Sequence, residues 1–209
     1  MKKEILFSYF DNNIFRICLK FKMKATETLY IKSRSEWRNW LKKNYKTKKE
    51  IWLVFYNKAS GKTRLSYEDA VEEALCFGWI DSIVKKIEKD NHVQRFTPRN
   101  PKSGYSQLNK ERLKKLLRQK KVITSVCKTL GDLENEKFVF PGDIIEEIRK
   151  NKEAWKNFQK FSEAYKRIRI AFINGARARP DVFKQRLNYF IKMTEKNKQY
   201  GIAGIEKYL

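Results

Sequence analysis

The spacing of apolar residues changes period several times along the chain, and each change marks an element. Ser33-Arg-Ser-Glu36 has the form of a capping box, in which a serine and a glutamate three residues later satisfy free N–H groups at a helix start. Trp37, Trp40 and Leu41 follow at helical spacing, predicting a helix that ends near Asn44. Ile51-Trp-Leu-Val-Phe-Tyr56 is β-branched and aromatic and reads as a buried strand, with Ala59-Ser-Gly61 as the turn after it. Ser66-Tyr-Glu-Asp69 opens a second helix, with Ala70, Val71, Ala74 and Leu75 as its inner stripe and Gly78 as a left-handed cap. The period then returns to that of a strand from Ile80 to Glu88, with a turn at Asp90-Asn91 into Val93–Thr97, and Pro98 and Pro101 stop the pairing. Ser106 caps a third helix bearing Leu108, Leu113, Leu116 and Leu117.

Residues 122–140 are poorly patterned and read as a connection. Beyond them, Pro141-Gly142-Asp143 with Glu146 reads as a helix start. Ile144, Ile145, Ile148, Trp155 and Phe158 keep helical spacing, as do Phe161, Tyr165, Ile168 and Phe172. A break at Ala178-Arg-Pro180 precedes a last helix carrying Val182, Phe183, Leu187 and Phe190. The expected fold is therefore α+β: a small antiparallel β-sheet with packed helices, followed by a C-terminal three-helix module. Four segments follow: an N-terminal extension over 1–22, a motif-bearing α+β domain over 23–121, a connection over 122–140 and a helical module over 141–209. Met23 is an alternative start, so residues 1–22 read either as an added strand or helix or as an upstream extension.

Charge changes the picture most. There are 48 Lys and Arg against 24 Asp and Glu, a net +24 over 209 residues, which favours anionic partners: a small molecule, a protein partner, nucleic acid or, by peripheral contact, an anionic membrane surface. The excess is heaviest between Lys150 and Lys198, with 14 basic residues against 4 acidic ones. Interleaved with aromatic residues there, it supports nucleic-acid binding as the alternative function. Against this stands the reading of a solvated bundle whose rings face its own core. No apolar run reaches the length of a membrane span. Cys18, Cys76 and Cys127 lie far apart with no paired spacing, which points to a reducing, cytoplasmic setting without disulfides. A single histidine, His92, and the absence of clustered ligands leave no metal site expected, and no phosphate-loop or dinucleotide fingerprint implies a cofactor. His92 and Cys76 show no spacing that would make a catalytic pair, so a binding protein is expected rather than a conventional enzyme.

The densest chemistry lies in Ala74-Leu-Cys-Phe-Gly-Trp-Ile-Asp81, then Arg95-Phe-Thr-Pro-Arg99, Lys102-Ser103, Ser106 and Asn109. A hairpin with one residue more than a strict two-residue turn would pair Ile87 with Arg95 and Ile83 with Arg99. That register sets Asp81, Lys85, Arg95 and Arg99 on one face. Asp81 would then hold Arg99, leaving Arg95 and Lys85 for an anion beside the planes of Trp79 and Phe96. Ser103, Ser106, Asn109 and the N–H groups at the third helix start would complete an anion pocket. The other reading is a closed network that pins the hairpin to the helix.

This string, together with Trp37, Trp40-Leu41 and Ile51-Trp52-Leu53, resembles the YdeI/OmpD-associated, or bacteriocin-protection, family over about residues 24–190. Ser82 stands where that family usually has glycine, Tyr105 where it has tryptophan, and Asp181-Val182-Phe183 where it has a Glu-Thr-Arg run. The resemblance implies a cytosolic protein linked to tolerance of antimicrobial peptides or stress.

Overall fold

A computed structural model describes residues 27–201, so both readings of residues 1–22 lie outside the described residues. Strand β1 (Thr28–Tyr30) leads into helix α1 (Arg34–Asn44), where Ser33 Oγ accepts from the Glu36 N–H at 3.2 Å as the capping pattern requires. Strand β2 (Ile51–Tyr56) and helix α2 (Tyr67–Cys76) follow, the latter capped by Ser66 Oγ accepting from Asp69 N at 3.0 Å. Then come the hairpin strands β3 (Trp79–Lys86) and β4 (Asn91–Pro98), and helix α3 (Gln107–Arg118).

The α+β class stands, with one refinement. The sheet order is β1-β2-β4-β3, and the edge pair β1–β2 runs parallel while the other pairs are antiparallel. At three residues, β1 is too short a run to stand out by periodicity.

Ile51, Leu53 and Phe55 alternate along β2 toward the helices, where they meet Trp37 and Leu41 of α1 and Val71, Ala74 and Leu75 of α2. Residues 122–140 add to this core: a short helix α4 (Thr124–Cys127) supplies Val126, and Val122 and Leu133 join it.

A second core lies in the C-terminal part. Here there are four helices rather than three among the described residues: α5 (Gly142–Lys150), α6 (Lys152–Lys160), α7 (Glu163–Asn174) and α8 (Pro180–Glu195). The extra break falls at Asn151, whose extended backbone leaves the helix and whose Oδ1 accepts from Ala154 N at 3.0 Å to start the next one. Ser162 restarts the chain at α7 in the same way. The expected Asp143–Glu146 cap does not form, and Asp143 instead holds Arg177 at 2.8 Å.

Helix α3 belongs to both cores. Leu113 and Leu116 enter the first, while Leu108 enters the second with Ile144, Ile148, Phe158 and Phe190. On the same helix Glu111, almost fully buried, takes two hydrogen bonds from Arg167 of α7, at 2.7 and 3.0 Å. Burial pushes the Glu111 carboxyl up, but the bonds from Arg167 and Gln107 outweigh it and hold it below the usual carboxylate range. No helix among the described residues is long and apolar enough to cross a membrane.

Candidate functional site

The hairpin register differs from the expected one. Asp81 lies opposite Phe96, Trp79 opposite Pro98 and Lys85 opposite Val93, with an irregularity between Asp81 and Val84. Neither the Ile87–Arg95 pair nor the Ile83–Arg99 pair exists. Asn91 is not a turn residue but the first of β4, pairing with Tyr56 of β2, and its Nδ2 donates back to Glu88 at 2.7 Å. His92 likewise sits within the strand, stacked on Phe55 at 5.5 Å between centroids.

This register separates the expected site residues into three groups. Trp79 and Phe96 are core: they are 1% and 0% exposed, and the Trp79 indole N–H donates to the Tyr45 carbonyl at 3.1 Å. Asp81 shares the helix-facing side with Phe96 and accepts from Tyr67 Oη at 2.7 Å and Gln94 Nε2 at 3.2 Å, rather than from Arg99. Burial, then the adjoining Asp81 carboxylate, raise the Tyr67 hydroxyl well above its ordinary range, so it remains the donor.

Arg95 points to the other face opposite Trp52 and is held by Glu50, with its Nε at 2.7 Å. Lys85 lies further along the hairpin opposite Val93. Those two cations and Asp81 form no common face.

The remaining residues do come together. Arg99, Ser103, Ser106 and Asn109 line a hollow of about 330 Å³ with Ile80, Thr97 and Tyr105. A second hollow of about 340 Å³ adjoins it, sharing Arg99, Ser103, Gly104 and Tyr105 and reaching Lys110, Leu130, Asp132, Leu133 and Glu136.

Among the residues that border both is Arg99, whose guanidinium is seated 3.6 Å from the centroid of the Tyr105 ring. Its backbone is fixed from below: Arg99 N donates to the Gly78 carbonyl at 2.9 Å. Gly78 itself needs the left-handed conformation, at φ +73°, to turn the chain from α2 into β3. Ser106 Oγ accepts from Asn109 N at 3.3 Å as the α3 cap, and Asn109 Oδ1 accepts from Arg112 at 2.7 Å. Arg112, only 4% exposed, is paired in turn with Glu68 of α2.

Among the described residues no carboxylate pairs with Arg99, and it borders both hollows. By contrast, Lys110 and Glu136 neutralise each other across the second hollow.

Tyr105, Lys110 and the 129–136 segment were not expected at the site. Two signals could have found them: Tyr105 is an aromatic six residues after Arg99, where the resembled family has tryptophan, and Asp132-x-x-Asn135 is an Asx-type turn pattern within the connection. Elsewhere, Asp69, Glu72 and Glu73 converge on Arg34 at 2.7, 2.8 and 2.6 Å, and Arg38 adds a second cation on Glu73. Among the described residues no cluster of His, Cys, Asp and Glu is set to hold a metal ion. Burial, then the neighbouring Glu73, push the Cys76 thiol up to about 11, so it stays protonated at neutral pH.

Residues 137–197 match the family described as Bacteriocin-protection, YdeI or OmpD-Associated. Residues 29–129, which carry the Trp79–Asn109 motif and the Arg99 hollows, match a separate domain of unknown function, DUF8412. The family resemblance is thus met by the helices α5–α8. No curated protein and no solved structure matches the chain.

Proposed function

Starting from C-terminal helices of the bacteriocin-protection, YdeI or OmpD-associated kind, we propose that this protein contributes to tolerance of antimicrobial peptides or stress by holding an anionic ligand or partner at Arg99. One observation carries the reading. Arg99 is a half-buried guanidinium, stacked on Tyr105, that borders both hollows and has no acid paired to it among the described residues. A planar cation held by a ring loses little freedom on binding, and its fork of donors suits a carboxylate or phosphate oxygen pair. The net charge of +24 raises the local concentration of such anions.

The C-terminal helices favour this over nucleic-acid binding. Phe158, Phe161, Tyr165 and Phe190 point into the module's own core, away from any base that would stack on them. A reducing cytoplasm suits the free thiols of Cys76 and Cys127.

The test is thermal unfolding of the full chain with acetate and with phosphate at matched ionic strength. An anion at a hundredfold excess over its Kd should add about 2.7 kcal/mol. Arg99→Met should abolish that gain, whereas Arg95→Met, which removes a cation already held by Glu50, should keep it. Equal stabilisation of wild type and Arg99→Met, or none by either anion, sinks the reading.

A further inference from the structure

The hollow between Tyr105 and the 129–136 segment contains more than a cation. Asp132 borders it, and its carboxylate oxygens accept only from a neutral donor, Asn135 Nδ2, at 2.9 and 3.1 Å. Among the described residues no lysine or arginine pairs with Asp132. Lys110 and Glu136 cancel each other, so the hollow presents one unneutralised cation, Arg99, and one unneutralised anion, Asp132. The same lining carries apolar surface from Leu130 and Leu133, which pack with the Tyr105 ring against the first core, and neutral polar groups from Ser103 and Thr129.

In a chain of net charge +24, this balance is selective. A compact dianion would satisfy Arg99 but meet Asp132, and like charges at short range are costly in a partly desolvated site. A simple cation would meet Arg99 and the positive field of the whole molecule. The ligand that satisfies both unpaired charges has no net charge and carries its own two charges apart.

From this we infer that the hollow takes a zwitterion: a molecule of amino-acid or short-peptide size, with its carboxylate on Arg99, its ammonium toward Asp132 and an apolar body on Leu130 and Leu133. This rests on the reading of Arg99 as an anion anchor. The volume of about 340 Å³ suits a ligand of that size.

Calorimetric titration of the full chain tests it with four probes: leucine, dileucine, N-acetyl-leucine, which lacks the ammonium, and leucinamide, which lacks the carboxylate. Leucine or dileucine should bind, and the tighter of the two tells a free amino acid from a peptide. N-acetyl-leucine should bind about tenfold more weakly, the worth of one charge-assisted contact. Asp132→Asn should erase that difference, and leucinamide should not bind. Asp132 is exposed, so this variant should melt with the wild type, and unfolding curves check that it does.

If N-acetyl-leucine binds as tightly as the zwitterions and Asp132→Asn changes nothing, the zwitterion assignment falls while the Arg99 anchor stands. The same holds if phosphate or acetate binds and none of the leucine probes does. If no anion binds at all, both fall.

Discussion

At the scale of single residues, the fold depends on a few charges taken out of water with their partners. Arg112 and Glu68 are the clearest case, because Arg112 is 4% exposed and holds Glu68 on one side and Asn109 on the other. Removing one member of a buried pair strands the other, which costs about 3–5 kcal/mol. Arg112→Met should approach that loss in urea unfolding, and it should loosen Asn109 beside the Arg99 hollow.

His92 gives a pH dependence of definite sign. Burial, then the nearby Arg64, lower its proton affinity, so the unfolded chain binds the proton first. Stability contributed by neutral His92 is therefore present above its unfolded pKa of about 6.5 and is lost as pH falls toward the lower folded value. His92→Gln should flatten that part of a plot of melting temperature against pH.

Single residues also show where the sequence was readable. Ser33, Ser66 and Ser106 cap helices where their patterns placed them, because a cap is a local contact. Asp81 was misplaced because its partners, Tyr67 and Gln94, lie 14 and 13 residues away and are set by pairing rather than by spacing.

Among the elements, the hairpin shows why local signals fall short. Asp90 and Asn91 have turn chemistry, yet the Asp90 carbonyl accepts from Asn57 N at 2.8 Å, and Asn91 is paired with Tyr56. Strand β2 therefore fixes where β4 begins, and β2 is more than 30 residues earlier in the chain. The irregularity after Asp81 then changes which residues share a face, an effect that strict alternation cannot register.

The turn from α2 to β3 was legible, since Gly78 has the positive φ that its position suggested. Gly78→Ala should cost about 1–2 kcal/mol for the left-handed backbone alone. The added methyl also lies 3.1 Å from Val126 Cγ2, so the loss should exceed a pure backbone effect. Because the Gly78 carbonyl holds Arg99 N, the same variant should weaken anion binding, which titration with acetate would show. At the other end, Asn151→Ala removes the cap between α5 and α6 and should cost about 1 kcal/mol in denaturant unfolding.

For the whole molecule, the pattern conveyed the α+β class and the helical C-terminal part, but not how the two halves meet. Beside Leu108, that junction is held by Glu111 and Arg167, a pair whose members are far apart in sequence and look like ordinary surface charges there. With its pKa held down, Glu111 stabilises the fold above its unfolded pKa of about 4.3, and the contribution disappears as pH falls through the lower folded value. Glu111→Gln should therefore lose stability at neutral pH, by about 2 kcal/mol since Arg167 keeps part of its hydration, and little at acid pH. Urea midpoints at both pH values check this.

The double membership of α3 has a thermodynamic consequence. The first turn of α3 borders the Arg99 hollows, Leu108 belongs to one core, and Leu113 and Leu116 belong to the other. A molecule bound there opposes the melting of whichever half would otherwise open first. Occupancy should thus tighten the cooperativity of unfolding as well as raise its midpoint.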